Sequence, residues 1–314
     1  MSAGMPDERT QAPALTGAPV YGVAALTILV LGVNWPVMGV GVELVPPLWL
    51  TSIRLFGAGV LVGAVVALRG RLPLPNRQDA PILLSVAVVR LALVYALVFV
   101  ALTLVPPGRS SVLVYTSALW TAPLAAWLLA ERFTALRAVG VLAGVGGVVL
   151  LVEPWTLEGT GDSALVGYAM LIGAAMATAI GTVHIRGHRW AARPHELMPY
   201  QLLLAGTLTA LVAVAVEGAP RWDWDLTVVG IAGYQVVLAS AFGVWGTLTI
   251  GRGLPALTAS ILLMTVPVIG VTSSAVLVGE TLTLAVLGGM ALIFTGVSAG
   301  VLSDRRATGA APPS

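Results

Sequence analysis

Two arginines stand inside long apolar runs, Arg54 and Arg90, and no acidic residue lies within several positions of either. A guanidinium in hydrocarbon costs about 3 kcal/mol even on lenient insertion scales, so each must face protein, water or a substrate. Its planar fork suits a carboxylate, and a carboxylate-bearing ligand is one reading of both. The other reading is a structural bond to backbone carbonyls freed at Pro or Gly kinks. Arg90, about nine residues into its apolar run, stands as a substrate-binding candidate; Arg54, two turns into its own, stands as a structural or gating candidate.

Other polar and aromatic residues sit at depth. Asn34-Trp35-Pro36 lies past the middle of the first apolar run. Pro36 removes a helical hydrogen bond and frees a carbonyl near position 32, and Asn34 can satisfy such a group or bind a substrate's ammonium. Tyr95, Tyr115, Trp120, Tyr234 and Trp245 also lie within apolar runs, whereas Trp155, Trp222 and Trp224 fall at their edges, as interfacial aromatics do. Ser111, Tyr115 and Ala118 share one helical face, and 149 positions later Ser260, Met264 and Pro267 occupy the matching places. This paired face is the expected cavity lining, with Tyr115 as core filler the alternative; Pro267 is counted with Pro36 and Arg54 as structural or gating.

Some chemistry is missing. Every Asp and Glu falls in a loop or near the end of an apolar run. A proton-coupled exchanger of organic cations needs a membrane-embedded acid, so the pattern fits a facilitator for zwitterions; the alternative is a run-end acid such as Glu43 titrating in a wet vestibule. His184, His188 and His195 stand four and seven apart, but no acidic or thiol partner is assigned to them, so a solvated loop role outweighs a metal site. No acid–base cluster, phosphate loop or cofactor motif is present, so neither an enzyme nor a cofactor is expected.

These residues need elements to position them. The chain is 58% hydrophobic and 10% charged, against about 25% charged for an ordinary globular domain. Its mean hydropathy is +0.96, so lipid is the fitting solvent. Ten stretches reach the roughly 20 residues that span a bilayer, at 19–42, 47–68, 81–104, 109–130, 135–152, 164–185, 196–216, 227–250, 256–278 and 283–302. Pro- and Gly-rich breaks separate them. Residues 1–17 read as a disordered tail and 303–314 as a solvated one, and the first run reads as a retained span, not a cleaved signal.

Arginine placement sets the orientation. With the N-terminus inside, Arg9, Arg69, Arg71, Arg77, Arg132, Arg137, Arg186, Arg189, Arg193, Arg252, Arg305 and Arg306 face the cytoplasm, and only Arg109 and Arg221 face out. Both termini are then cytoplasmic. The pI near 9.3 comes from these loops and does not imply nucleic acid. Gly59-x-x-x-Gly63, Gly140-x-x-x-Gly144 and Gly296-x-x-x-Gly300 allow close helix approach, within the bundle or at a dimer face, so the chain is a monomer or a homodimer.

The second half repeats the first. At an offset of 149, Pro106, Ser111, Leu113, Thr116, Leu128, Glu131, Thr134, Gly140 and Gly147 fall on Pro255, Ser260, Leu262, Thr265, Leu277, Glu280, Thr283, Gly289 and Gly296. At 147, Pro47 meets Pro194 and Arg54 meets Gln201. Five spans is an odd number, so the halves 18–152 and 164–302, joined by a linker at 153–163, are expected to be inverted repeats with a substrate site where they meet.

These residues resemble the drug/metabolite transporter superfamily and, within it, the EamA-type ten-helix exporters. The resemblance rests on Gly32-Val33-Asn34-Trp35, Pro47 with Arg54, and Ser111 through Thr116. The ends Ala130-Glu131-Arg132-Phe133-Thr134 and Gly279-Glu280-Thr281-Leu282-Thr283 also carry it, and it covers roughly 18–302. It is nearest in look to the YddG-like exporters of aromatic and other neutral amino acids. It implies an all-α inner-membrane protein, a small-molecule substrate and alternating access; export of other amphipathic metabolites or toxic cations stays open. One departure is Ala118, where the family's proline is usual and the second copy keeps Pro267. Helix 4 is therefore expected to be less bent.

Overall fold

The computed structural model describes residues 17–68, 74–130, 133–156, 162–188 and 194–309. Expectations placed on 1–16, Arg69, Arg71, Glu131, Arg132, Glu158, Arg189, Arg193 and 310–314 lie outside the described residues, as do the side chains of Asp162, His195, Arg305 and Arg306. Among the described residues there is no strand. Nine helical segments are long and apolar enough to cross a membrane: α1 (Ala18–Leu44), α2 (Pro47–Leu68), α3 (Arg77–Ala101), α4 (Pro107–Leu128), α5 (Ala135–Val152), α6 (Ser163–Gly187), α7 (Glu196–Val216), α8 (Leu226–Gly253) and α9 (Thr258–Val278). The apolar part of the last helix, α10 (Leu284–Gly300), is shorter.

Most of these helices are apolar all round, as helices are that touch protein on one side and hydrocarbon on the other. Leu26, Phe56, Leu142, Leu211, Leu248 and Val276 all point outward. In water such a surface would aggregate; in lipid it is matched. The chain is a multi-pass membrane protein.

Two helix pairs are packed most extensively, α5 with α10 and α2 with α7. Glycines set both. A Cβ on Gly147 would stand 2.6 Å from the Gly289 carbonyl oxygen, and one on Gly289 2.7 Å from that of Gly147. Gly140 and Gly296 meet in the same reciprocal way farther along. In the other pair, Gly59 lies against Leu203 and Gly206 against the backbone of Phe56. The offset of 147 turns one of these contacts into the other. Small residues bring backbones close where no hydrophobic drive separates helix from lipid. The glycines at 59, 63, 140 and 144 all face neighbours in the same bundle.

Two departures from regular helix recur at matching places. α3 carries a π-helical stretch at Val86–Leu93 and α8 one at Tyr234–Phe242. α4 and α9 are each interrupted, α4 at Thr116 and α9 at Met264–Thr265. In both, the threonine hydroxyl donates to the carbonyl three residues back at 2.6 Å, to Leu113 and to Leu262. The backbone N–H groups of Thr116 and Thr265 follow to the same acceptors at 3.1 and 3.0 Å. Such back-bonding tightens the turn and breaks the α pattern. The break in α4 falls at Thr116, two residues before Ala118, where no proline stands.

Candidate functional site

The helices enclose a central cavity of about 480 Å³ between α1, α2, α3, α4, α6, α7 and α8. A second, of about 360 Å³, opens toward the α4–α5 and α6–α7 connections. Arg90, Ser117 and Thr178 line both, so the two are neighbouring chambers with Arg90 at their junction. A third, of about 520 Å³, lies at the opposite end, among Glu43, Arg109 and Glu280.

Arg54 is 4% exposed and well held. Its Nη1 donates to Gln235 Oε1 at 2.7 Å and Nη2 to the Tyr95 hydroxyl at 3.4 Å. Its Cζ lies 4.5 Å from the Tyr95 ring centre, within cation–π range. Gln235 comes from α8, so the guanidinium ties α2 to α3 and α8. Arg90 differs. It projects from the π-helical stretch of α3, half-buried, and no hydrogen-bond or ion-pair partner meets it among the described residues. A π-helical turn shifts the register of everything after it, and this one stands where Arg90 leaves the helix for the cavity.

Asn34 is buried against the cavity and donates through Nδ2 to Met38 Sδ at 2.9 Å. A thioether only accepts, which leaves Asn34 Oδ1 aimed elsewhere and without a partner. Trp35, Tyr95 and Tyr115 complete the aromatic wall. α1 runs unbroken through Pro36.

The paired face on α4 and α9 divides. Tyr115 lines the central cavity and Ala118 the neighbouring chamber. Ser111 is fully buried in the α4–α9 crossing, where Gly270 leaves space for it, and its hydroxyl donates to the Gly108 carbonyl at 2.6 Å. The Pro267 carbonyl lies 3.4 Å from that hydroxyl. Ser260 and Met264 line none of the three cavities. The interruption in each helix turns the face between the serine and the residues after it, so helical spacing alone does not carry across. Ser117, Thr178, Gln201 and Ser240 line the central cavity without having been singled out as binding candidates. Met38, four residues from Asn34, was findable from that spacing.

At the end with the third cavity, carboxylates cap helices. Glu280 accepts from the Gly108 and Arg109 N–H groups at 2.7 and 3.1 Å, at the start of α4. Glu217 accepts from the Leu48 and Trp49 N–H groups at 2.9 and 3.1 Å, at the start of α2. Each places negative charge on the positive end of a helix. Arg109 pairs with Glu153 at 2.8 Å. Burial pushes the Glu280 carboxyl above the ordinary carboxylate range, although the two backbone N–H groups and the Arg109 guanidinium pull the other way. Trp49, Trp222 and Trp224 pack against one another at tilted angles near Glu217, with ring centres 5.9 and 5.6 Å apart.

One expectation about histidine is corrected. His188 does have an acidic partner, the fully buried Asp79, 3.2 Å away and 109 residues earlier, a pairing invisible in local sequence. Among the described residues no three His, Cys, Asp or Glu side chains cluster as a metal site would require.

Residues 19–153 match the EamA-like transporter family. A probable amino-acid metabolite efflux pump of Salmonella typhimurium is 29% identical over 90% of this chain and 95% of its own. The protein of that description in Escherichia coli K12 is 27% identical over the same shares. Transporter YvbV of Bacillus subtilis is 25% identical over 87% and 88%. A solved crystal structure with 23% identity covers 93% of this chain and 99% of that one at a TM-score of 0.64, a likeness of fold.

Proposed function

We propose that this chain, which carries an EamA-like transporter domain, exports neutral or aromatic amino acids or related small metabolites across a bacterial inner membrane by alternating access. The observation that carries the reading is Arg90. It is a permanent cation deep in the bundle, without a hydrogen-bond or ion-pair partner among the described residues, at the junction of two chambers. A substrate carboxylate satisfies it. Asn34 Oδ1 suits an ammonium on the same substrate, and Trp35, Tyr95 and Tyr115 suit an apolar side chain. Arg54 shapes the cavity by holding α2, α3 and α8 together.

The movement follows from the repeats. α1–α5 and α6–α10 act as two inverted five-helix repeats, residues 18–152 and 164–302, with both termini cytoplasmic. The reciprocal glycine contacts and the matched interruptions support that relation. Transport is facilitated and not proton-coupled, in keeping with a central cavity in which no described lining residue carries a carboxylate. The relatives described as amino-acid metabolite efflux pumps support the direction.

Counterflow in proteoliposomes tests this. Vesicles loaded with phenylalanine, methionine or threonine should accumulate the labelled amino acid without a pH gradient. Flux of an organic cation with none of a neutral amino acid would overturn the assignment.

A further inference from the structure

Arg54 and Arg90 both line the central cavity, and no described lining residue carries a carboxylate. Arg54 is well bonded, but its partners are all neutral: the Gln235 carboxamide, the Tyr95 hydroxyl and ring, and the Met38 thioether. Neutral partners orient a guanidinium without cancelling its charge, and a guanidinium keeps its proton in a protein. Asn34 joins the same network through Met38 Sδ. The buried polar atoms left unpartnered in it are two donors, Arg54 Nε and Gln235 Nε2, and one neutral acceptor, Asn34 Oδ1. None of them supplies negative charge.

A ligand carboxylate on Arg90 leaves the charge of Arg54 uncompensated. A zwitterion then adds an ammonium to the same apolar enclosure, where like charges repel with little screening. We propose that Arg54 is a specificity-determining residue. It makes the cavity favour carboxylic acids whose nitrogen is acylated, or replaced by a hydroxyl, over the corresponding zwitterions. Asn34 Oδ1, a neutral acceptor, takes an amide N–H or a hydroxyl in place of an ammonium. The proposal deepens the transport reading by naming the preferred class among the related small metabolites. It rests on that reading for movement of the ligand; binding is measured without transport.

The full-length protein in detergent is titrated with phenylalanine, N-acetylphenylalanine and phenyllactate, and each affinity is read from the rise in Tm with ligand concentration. The three share ring and carboxylate and differ in the ammonium. The two without it should bind about tenfold more tightly, the effect of a unit charge about 12 Å away at an effective dielectric of about 20. Gln235→Glu sets a carboxylate against Arg54 with little change of shape and should bring the three affinities together. Arg54→Lys keeps the charge and loses the fork, and should keep the preference. If Gln235→Glu does not fold, Arg54→Gln removes the cation instead, with the residue that stands at the matching place in α7, Gln201.

Phenylalanine binding as tightly as the two anions would overturn the proposal. So would a preference that Gln235→Glu or Arg54→Gln leaves unmoved, or a gain by only one of the two anions, which would be a matter of shape. Binding by none of the three overturns it as well. Absence of counterflow for all three, with the binding preference intact and sensitive to Arg54, would instead reject the transport reading and keep the specificity.

Discussion

The seams between the two halves and the cavity they enclose are built on opposite plans. At the seams, residue and contact repeat: Gly140 meets Gly296 as Gly289 meets Gly147, and Gly59 meets Leu203 as Gly206 meets Phe56. In the cavity, the same offsets pair unlike residues. Arg54 falls on Gln201, Arg90 on Ala239 and Tyr115 on Met264. The first half supplies both guanidiniums and most of the aromatic wall; the second supplies Gln201, Gln235 and Ser240. A symmetric frame suits two states of similar energy and an asymmetric site suits a ligand with two unlike poles; under the proposed function, each demand is met by a different set of positions.

The largest effect should come from breaking the asymmetry. Arg90→Leu removes the partnerless guanidinium, and a hydrogen bond to a charged group contributes about 1.5–3 kcal/mol. Counterflow of phenylalanine should fall by about 10- to 100-fold in kcat/KM, and that of phenylalaninamide far less. Ala239→Leu, at the matching place in α8, should cost both substrates alike. Equal loss of both in Arg90→Leu would leave Arg90 a structural residue.

Next in size is a change to the symmetry. A Cβ at Gly147 or Gly289 meets a backbone carbonyl that cannot turn aside, and overpacking of this kind costs about 1–3 kcal/mol. Gly147→Ala and Gly289→Ala should lower the thermal stability of the detergent-solubilised protein by similar amounts. The double variant should fall short of their sum, because each spreads the same seam. A loss confined to one of the two would show that the seam is not reciprocal.

The frame was more legible in the sequence than the site, for a physical reason. Apolar length alone locates spans, and nine of the ten stretches appear as helices of spanning length. Arg54, Arg90, Asn34, Trp35, Tyr95 and Tyr115 were found as polar or aromatic residues at depth, and all six line the central cavity. Ser260, Met264 and Ser111 line none of the three cavities; both α4 and α9 break near the threonine, and regular helical spacing does not carry facing across such a break. The π-helical stretches of α3 and α8 leave no mark in composition, yet they decide where Arg90 emerges. Asp79 and His188 meet over 109 residues, a contact made by tertiary packing alone.

The smallest effect concerns the carboxylate caps. Glu280 and Glu217 do the same work for α4 and α2, but Glu280 does it at a site where burial outweighs its hydrogen bonds. A carboxyl whose pKa is raised on folding binds its proton more tightly in the folded state. Its contribution to stability is therefore fully present below the unfolded carboxylate pKa and is lost as pH rises through the raised one. Glu280→Gln cannot titrate, keeps one amide oxygen for the Gly108 N–H, and should flatten that dependence. Thermal stability of the two proteins in detergent, followed upward from about pH 4, the ordinary glutamate pKa, should show the wild type declining relative to Glu280→Gln until Glu280 is ionised, and running parallel to it above. Arg109 stays charged throughout and Glu153 holds it in both proteins, so the ion pair cancels in the comparison. A wild type that instead gains on Glu280→Gln as pH rises would mean that the two N–H groups at the start of α4 outweigh burial.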